Sequence, residues 1–104
     1  MSHWRLVIQP QAERDMLSIG EHLEAAAGRA TAQKWIGAFE RAMLALEDNP
    51  YLGTESEFIG AGRRRLVVRP YLIVYRIDGP KSVRILRVID GRRDLPRLFR
   101  EVRD

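Results

Sequence analysis

The sequence of 104 residues contains no cysteine and only two histidines. Without cysteine the chain can form no disulfide and has no thiolate nucleophile, which is typical of a protein from a reducing compartment. Zinc and iron sites usually need several imidazole or thiolate ligands. Because a predicted strand and half a predicted helix separate His3 from His22, we expect neither a metal site nor a cofactor.

Long hydrophobic runs are also missing. The longest uninterrupted apolar stretches are only a few residues, far short of the roughly 20 that cross a bilayer as a helix. The N-terminal segment MSHWRLVIQP has no basic leader followed by an apolar run. We therefore expect a cytoplasmic protein with no membrane contact. A chain of 104 residues is long enough for one domain, residues 1–104, with one modest core.

Charge is distributed unevenly along the chain. Residues 63–104 contain thirteen basic and five acidic side chains, a net charge of +8, whereas residues 1–62 carry a net charge of −4. The basic residues of the second half are nearly all arginines. This asymmetry indicates an acidic or phosphate-bearing partner, or an acidic polypeptide that covers the basic half. Charge alone does not distinguish these partners.

Two amphipathic helices are predicted in the first half. The first follows Pro10, whose fixed φ suits a first helical turn, and is expected to end at Gly28. The second is expected to end before Asn49-Pro50. Their apolar stripes comprise Ala12, Met16, Ile19 and Leu23 in the first helix, and Ala32, Trp35, Ile36, Phe39, Ala42, Met43 and Leu46 in the second. Few residues separate the two patterns, which predicts an antiparallel helical hairpin.

Four β-type segments complete the pattern. They are Trp4–Ile8 near the N-terminus, followed by Arg65–Arg69, Tyr71–Ile77 and Val83–Ile89 in the second half. Residues 51–62 have three glycines and no periodicity, which predicts a loop. The turn signal Asp78-Gly79-Pro80-Lys81 joins the last two strands into a hairpin. The expected fold is therefore an α+β domain of order β-α-α-β-β-β, with the helical hairpin packed on a small, mainly antiparallel sheet.

Both faces of this sheet are largely apolar. Side chains alternate along a strand, so Tyr71, Ile73 and Tyr75 share one face while Leu72 and Val74 share the other. One face can pack on the helices. We expect the outer face to remain exposed and framed by arginines, ready to receive a partner.

Four segments of the sequence match a known pattern in order and spacing. They are Ile8-x-Pro10-x-Ala12-x-x-Asp15, Asn49-Pro50-x-Leu52-Gly53, Arg69-Pro70-Tyr71-x-x-x-Tyr75-Arg76 and Ile85-Leu86-Arg87-Val88-x-x-Gly91-Arg92-Arg93-Asp94. As a set they resemble the ParE branch of the RelE/ParE superfamily of bacterial type II toxin–antitoxin modules. The superfamily fold is the one expected above from the sequence pattern.

The resemblance implies a small toxin that arrests growth unless an antitoxin binds it. ParE-like toxins poison DNA gyrase, whereas RelE-like relatives cut mRNA on the ribosome. The expected partner is a ParD-like or other antitoxin with an acidic C-terminal tail, which forms a hetero-oligomer with the toxin. Operator DNA is expected to be contacted only through that complex.

Sequence details favour the gyrase poison over the nuclease. RelE-type nucleases resemble this chain but carry a catalytic arginine where this sequence has Leu72, and often a tyrosine at Phe99. Leucine cannot neutralise the charge that develops on a phosphorane, and phenylalanine has no hydroxyl to exchange a proton. Arg93 matches a phosphate-binding arginine of the nucleases, and many relatives have histidine at Asp90. We therefore expect no catalytic residues of the toxin's own.

Two sets of contact residues follow from the charge map and the resemblance. The target is expected to bind Arg63, Arg64, Arg65, Arg92 and Arg93, assisted by residues 95–102. The antitoxin is expected to bind the outer sheet face at Leu72, Val74, Arg76, Arg84, Leu86 and Arg87. We expect the turn after the last strand to direct Arg92 and Arg93 away from the helices.

Simpler roles are also available for several of these residues. Arginines at a strand entrance often serve only as solvated charge. Asp90 before glycine is more typical of a turn than of a general base. Tyr71 and Tyr75 are more typical of core packing than of base stacking. The remaining functional alternatives are a ribosome-dependent endoribonuclease and a non-toxic basic module that serves in protein interaction or nucleic-acid binding.

Overall fold

The structure is a computed structural model that describes residues 4–56 and 59–92. Two helices pack on one face of a five-stranded sheet. The elements are β1 (Arg5–Ile8), α1 (Pro10–Ala27), α2 (Arg29–Asp48), β2 (Thr54–Glu55), β3 (Arg63–Val68), β4 (Tyr71–Ile77) and β5 (Ser82–Asp90). The expected α+β fold is confirmed.

The helical hairpin forms as the sequence predicts. Pro10 occupies the first turn of α1, where its missing N–H would have no intrahelical acceptor. Gly28 alone separates the helices, and its φ of 95° lies in a region that side-chain-bearing residues rarely adopt. The second helix ends at Asp48, with Asn49 as its C-terminal cap and Pro50 unable to continue it.

The sheet has the strand order β1-β5-β4-β3-β2. Neighbouring strands are antiparallel except β1, which pairs in parallel with β5 through Arg5↔Ser82 to Ile8↔Ile85. The N-terminal strand thus lies beside the C-terminal strand of the described chain. Parallel pairing requires a long crossover connection, and the helical hairpin supplies it.

Two details of the strand prediction are wrong. The predicted loop at 51–62 contains the two-residue strand β2, which pairs with Arg64 and Arg65 and carries no periodicity of its own. Strand β3 spans Arg63–Val68 rather than Arg65–Arg69, because backbone pairing with β4 begins at Arg63↔Arg76. Strand β4 has the expected bounds, and β5 extends the prediction by one residue at each end.

The main core lies between the helices and the inner face of the sheet. Phe39 of α2 stacks edge-on against Tyr71 with ring centroids 5.2 Å apart, and Trp35 contacts the same ring at 5.3 Å. Ile73 and Tyr75 on the same face of β4 are fully buried in this cluster. The two tyrosines are therefore core residues, as the simpler interpretation predicted. No helix in the described part of the chain is long and apolar enough to cross a membrane.

Candidate interaction surfaces

The loop after α2 is attached to the sheet by a buried hydroxyl. Tyr75 is fully buried, and its Oη donates to the carbonyl of Pro50 at 2.7 Å and accepts from the N–H of Gly53 at 2.8 Å. A Cβ at Gly53 would lie 2.5 Å from the Arg65 carbonyl oxygen and 2.6 Å from Tyr75 Oη. The segment Asn49-Pro50-x-Leu52-Gly53 and Tyr75, which belong to two of the matching motifs, thus form one structural unit.

Arg64 stabilises the same loop. Its Nη2 donates to the carbonyl of Gly53 at 2.7 Å, and its guanidinium lies 5.3 Å from the centre of the Tyr51 ring. Glu55 contributes a carboxylate oxygen 3.8 Å from Nη1. With 17% of its side chain exposed, Arg64 has a structural role that its expected assignment to target binding did not anticipate.

The outer face of the sheet is not the exposed apolar surface that we expected. Leu72, Val74 and Leu86 are 8%, 0% and 8% exposed, and they form a second hydrophobic cluster with Ile59 and Ile89. Ile59 lies in the loop before β3, a segment with no hydrophobic periodicity. The prediction failed because it gave that loop no part in the core.

Arg87 lies on a different surface from the one predicted. Its Nε donates to Asp15 Oδ2 of α1 at 2.7 Å, and its Nη2 donates to Oδ1 at 3.1 Å. Pairing of β4 with β5 passes from Val74↔Arg87 to Tyr75↔Ile85, which leaves Leu86 as a β-bulge. The prediction placed Arg87 at the edge of the outer face, but its guanidinium is bonded to α1, which covers the inner face.

The Asp15 carboxylate also completes the open edge of β5. Because β1 ends at Ile8, opposite Ile85, the following residues of β5 have no strand partner on that side. Asp15 Oδ2 accepts the backbone N–H of Val88 at 2.9 Å. The side chain is 9% exposed. A carboxylate on α1 thus satisfies a backbone donor that a longer β1 would have bonded.

Three arginines form a row across the outer face. Arg63, Arg76 and Arg84 are direct cross-strand partners on β3, β4 and β5. Arg63 is 6% exposed, whereas 31% and 28% of the Arg76 and Arg84 side chains remain accessible. Arg65, two residues along β3 from Arg63, lies on the same face and is half-buried.

One aspartate contacts two members of this arginine row. Asp78 Oδ2 accepts from Arg84 Nε at 2.8 Å, while Asp78 Oδ1 lies 3.9 Å from Arg76 Nε. The hydrogen bond from Arg84 lowers the pKa of Asp78 below its ordinary value, and the nearby charges of both arginines act in the same direction. Arg76 Nε is buried and has no hydrogen-bond partner.

Asp90 forms a turn after β5. Its Oδ1 accepts the backbone N–H of Arg92 at 2.9 Å, and its two carboxylate oxygens accept from Arg92 Nε and Nη2 at 3.0 and 2.7 Å. This geometry confirms the turn interpretation of Asp90. The same carboxylate raises the pKa of Arg92 above its ordinary value.

Arg92 faces α1, contrary to the prediction that it points away from the helices. It lines a polar pocket of about 360 Å³ together with His22, Asp15 and Arg87. The Arg92 side chain is 68% exposed and so remains accessible to a partner. Arg93, Phe99 and residues 95–102 lie outside the described residues. Within the described ranges no group of three potential metal-ligating side chains occurs.

A larger groove runs along the helical hairpin and was not predicted. Its volume is about 880 Å³, and its apolar lining includes Met16, Leu17 and Ile36. Leu17 is 64% exposed. Gly20 widens the groove because only Ile36 lies near the position of its missing Cβ. Charged residues that line the groove are Glu13, Glu21, Glu24, Arg29 and Glu40. The sequence feature that could have indicated this groove is Leu17, an apolar residue outside the helical stripe that faces the core.

Comparisons with known proteins agree with this architecture. The model of the family described as "ParE toxin of type II toxin-antitoxin system, parDE" matches residues 6–95. No curated protein matches the chain. A solved structure described as "Chromosomal ParDE TA system from P. aeruginosa" is similar in fold, with a TM-score of 0.74 and 23% identity over 85% of this chain and 96% of that one. The RelBE2 toxin–antitoxin complex from Mycobacterium tuberculosis is similar with a TM-score of 0.62 and 25% identity, covering 86% and 93% of the two chains.

Proposed function

The chain belongs to the ParE family of type II toxin–antitoxin toxins, and we propose that it arrests growth by binding DNA gyrase rather than by a reaction of its own. The observation that carries this proposal is the identity and burial of Leu72. This residue stands where the resemblance places the catalytic arginine of the nucleases, and it is an aliphatic side chain, 8% exposed, within the second hydrophobic cluster. A buried leucine cannot stabilise a charged transition state.

The arginines of the described residues also favour a binding role over a catalytic one. Arg64 is hydrogen-bonded to the loop after α2, and Arg87 is bonded to Asp15. Arg92 is exposed but held by Asp90. These guanidinium groups are engaged in local structure rather than directed together at one reacting phosphate. We assign target contact to Arg92, Arg93 and Arg65, and we assign Arg63 and Arg64 to the support of β3.

Two assays with purified toxin test the proposal. The toxin should inhibit supercoiling by gyrase or trap cleaved DNA, while mRNA on programmed ribosomes stays intact in primer extension. Ribosome-dependent cuts at fixed codon positions would overturn the proposal in favour of the endoribonuclease. Inactivity in both assays, together with harmless expression in cells, would favour the non-toxic binding module.

We further assign the antitoxin contact to the groove between α1 and α2. This groove combines an apolar floor with exposed Leu17, and four glutamates against one arginine line it. A helical segment with an apolar stripe flanked by lysine or arginine fits this chemistry. An acidic tail, which the charge of the whole chain suggested, does not fit the groove because its carboxylates would face glutamates.

A further inference from the structure

The outer edge of β1 is an open edge of the sheet. Strand β1 lies at the end of the strand order, next to β5. The N–H of Gln9 donates to the carbonyl of Ile85 in β5 at 2.9 Å. Because the backbone groups of successive residues alternate in direction along a strand, those of Leu6 and Ile8 point away from β5. No strand in the described part of the chain lies on that side, so these donors and acceptors are available to another strand.

The side chains at this edge carry no charge. Leu6 and Ile8 pack against the main core, and Val7 between them is half-buried on the outer face. Proteins usually protect an open edge with charged side chains or a bulge. Strand β1 pairs with β5 in regular register and has neither device between Leu6 and Ile8. The edge is therefore suited to pairing with an apolar strand.

The opposite edge of the sheet is protected against self-pairing. Val67 of β3 lies beyond the part of that strand that β2 covers, and it is 52% exposed. Arg65 and Arg69 stand two residues to either side of it on the same face. An antiparallel second copy centred on Val67 would place Arg65 opposite Arg69. Like charges directly opposite each other in a sheet are destabilising, so this edge does not favour a second copy.

Strand β1, in contrast, is complementary to itself. In an antiparallel pair centred on Val7, Leu6 faces Ile8 of the second copy, and each such pair can exchange both backbone hydrogen bonds. Val7 faces Val7 of the second copy with Cα atoms about 4.5 Å apart. Arg5 faces the neutral amide of Gln9, so no like charges are directly opposite. A charged partner strand would find no opposite charge between Leu6 and Ile8, whereas a second copy buries apolar side chains there.

We infer that a second copy of this chain binds at the outer edge of β1, so that antiparallel pairing of two β1 strands joins two sheets into one. The contact is the same on both copies and closes a two-fold dimer. The protected edge at Val67 prevents further growth of the sheet. The inference goes beyond the proposed function, because the dimer needs neither gyrase nor the antitoxin.

Charge substitutions at the two-fold axis test the inference. Sedimentation velocity over about 1–100 µM protein measures the monomer–dimer equilibrium. Val7→Glu and Val7→Lys should each weaken dimerisation at least tenfold, because each places two like charges directly opposite. An equimolar mixture of the two variants should dimerise at least tenfold more tightly than either alone, since opposite charges then face each other. The matched controls Val67→Glu and Val67→Lys at the other edge should dimerise as the wild type does.

Four results would overturn the inference. The first is a wild-type protein that stays monomeric at the highest concentration. The second is an undiminished dimer in both Val7 variants. The third is failure of the mixture to restore the dimer when circular dichroism shows that both variants are folded. The fourth is an equal loss in the Val67 controls. Binding of another protein at β1, with no self-association, would assign the edge to that protein instead.

Hydrogen exchange on the wild-type protein makes the test independent of variant folding. The amides of Leu6 and Ile8 should exchange more slowly at high than at low protein concentration, because the second copy accepts their hydrogen bonds. The amide of Val67, at the other edge, should keep its rate. Exchange of Leu6 and Ile8 that does not depend on concentration would contradict the inference. Gyrase supercoiling, assayed separately, reports on the proposed function and not on this dimer.

Discussion

At the scale of single residues, several motif positions are explained by hydrogen bonds rather than by chemistry on a substrate. The hydroxyl of Tyr75 bonds both Pro50 and Gly53, and it is enclosed by the core. Buried polar groups without partners are costly because they give up hydration and receive nothing in exchange. The hydroxyl and the two backbone groups that it bonds therefore depend on one another.

Tyr75→Phe should destabilise the fold by about 1–3 kcal/mol, because it leaves the Gly53 N–H and the Pro50 carbonyl without their buried partner. Urea denaturation of the purified protein measures this loss. The matched control is Tyr51→Phe, since Tyr51 is 60% exposed, and it should change stability by less than about 0.5 kcal/mol. Equal midpoints for the two variants would show that the Tyr75 bonds contribute nothing.

Arg92 and Arg93 provide a second test at this scale. Changing both to glutamate should lower toxicity, since Arg92 is exposed and we assign both residues to target contact. Stability should change by no more than about 1 kcal/mol, the usual upper contribution of an exposed ion pair such as Arg92–Asp90. Growth inhibition at equal soluble level is the measurement, with Arg14→Glu/Arg41→Glu as the control of equal charge change. Full toxicity of the first variant would remove these arginines from the target surface.

At the scale of elements, helix α1 stabilises the sheet through its polar as well as its apolar side. Asp15 receives two guanidinium bonds from Arg87 and the N–H of Val88. It thereby closes the edge of β5 where β1 has ended. Edge strands with open backbone groups invite pairing with other chains. The Asp15 contact blocks this edge and fixes the position of α1 against β5.

Asp15→Ala should cost about 3 kcal/mol or more, because it strands a largely buried guanidinium and a backbone N–H. Chemical denaturation of Asp15→Ala, Arg87→Ala and the double variant gives the coupling energy between the pair. We expect the double variant to be less destabilised than the sum of the single variants. Strict additivity would mean that the contact is not energetically significant. Glu21→Ala, an exposed change on the same helix, is the control.

The groove between the helices leads to a further prediction at this scale. Leu17→Glu should weaken antitoxin binding by at least tenfold, because it places a charge on a surface that becomes desolvated in the complex. Leu44→Glu is the matched control: Leu44 is 56% exposed on α2 and does not line the groove. Isothermal titration with the product of the neighbouring gene compares the two variants. Equal losses, or none, would exclude the groove as the antitoxin site.

At the scale of the whole molecule, the helical groove and the arginine row lie on opposite sides of the sheet. The groove belongs to the helices that cover the inner face, whereas the arginine row lies on the outer face. The separation of charge along the sequence thus becomes a separation in space. Acidic side chains border the groove, and basic side chains occupy the sheet.

Variants of the two surfaces should therefore differ in their effect on antitoxin binding. Arg76→Gln should leave antitoxin affinity unchanged, in contrast to Leu17→Glu, since distant sites without shared partners are usually additive within about 0.5 kcal/mol. Calorimetry on both single variants and the double variant measures this. A strong effect of Arg76→Gln on antitoxin affinity would show that the antitoxin covers both surfaces.

Apart from the short strand β2, the element order and the inner core could be predicted from local patterns alone. Helical spacing, Pro10, Gly28 and the turn at 78–81 are signals that need no knowledge of distant residues. The hairpin of helices, strand β4 and the packing of Tyr71 and Tyr75 followed from them directly. The likeness of the motifs to the ParE branch rested on the same local information.

Only the tertiary structure decided which surfaces remain open. Arg87 formed an ion pair with Asp15 of α1, the aperiodic loop supplied Ile59 to a second hydrophobic cluster, and cross-strand register aligned Arg63, Arg76 and Arg84. These outcomes depend on strand register and on contacts between residues far apart in the chain. Periodicity reports the faces of one element, whereas exposure depends on what every other element covers.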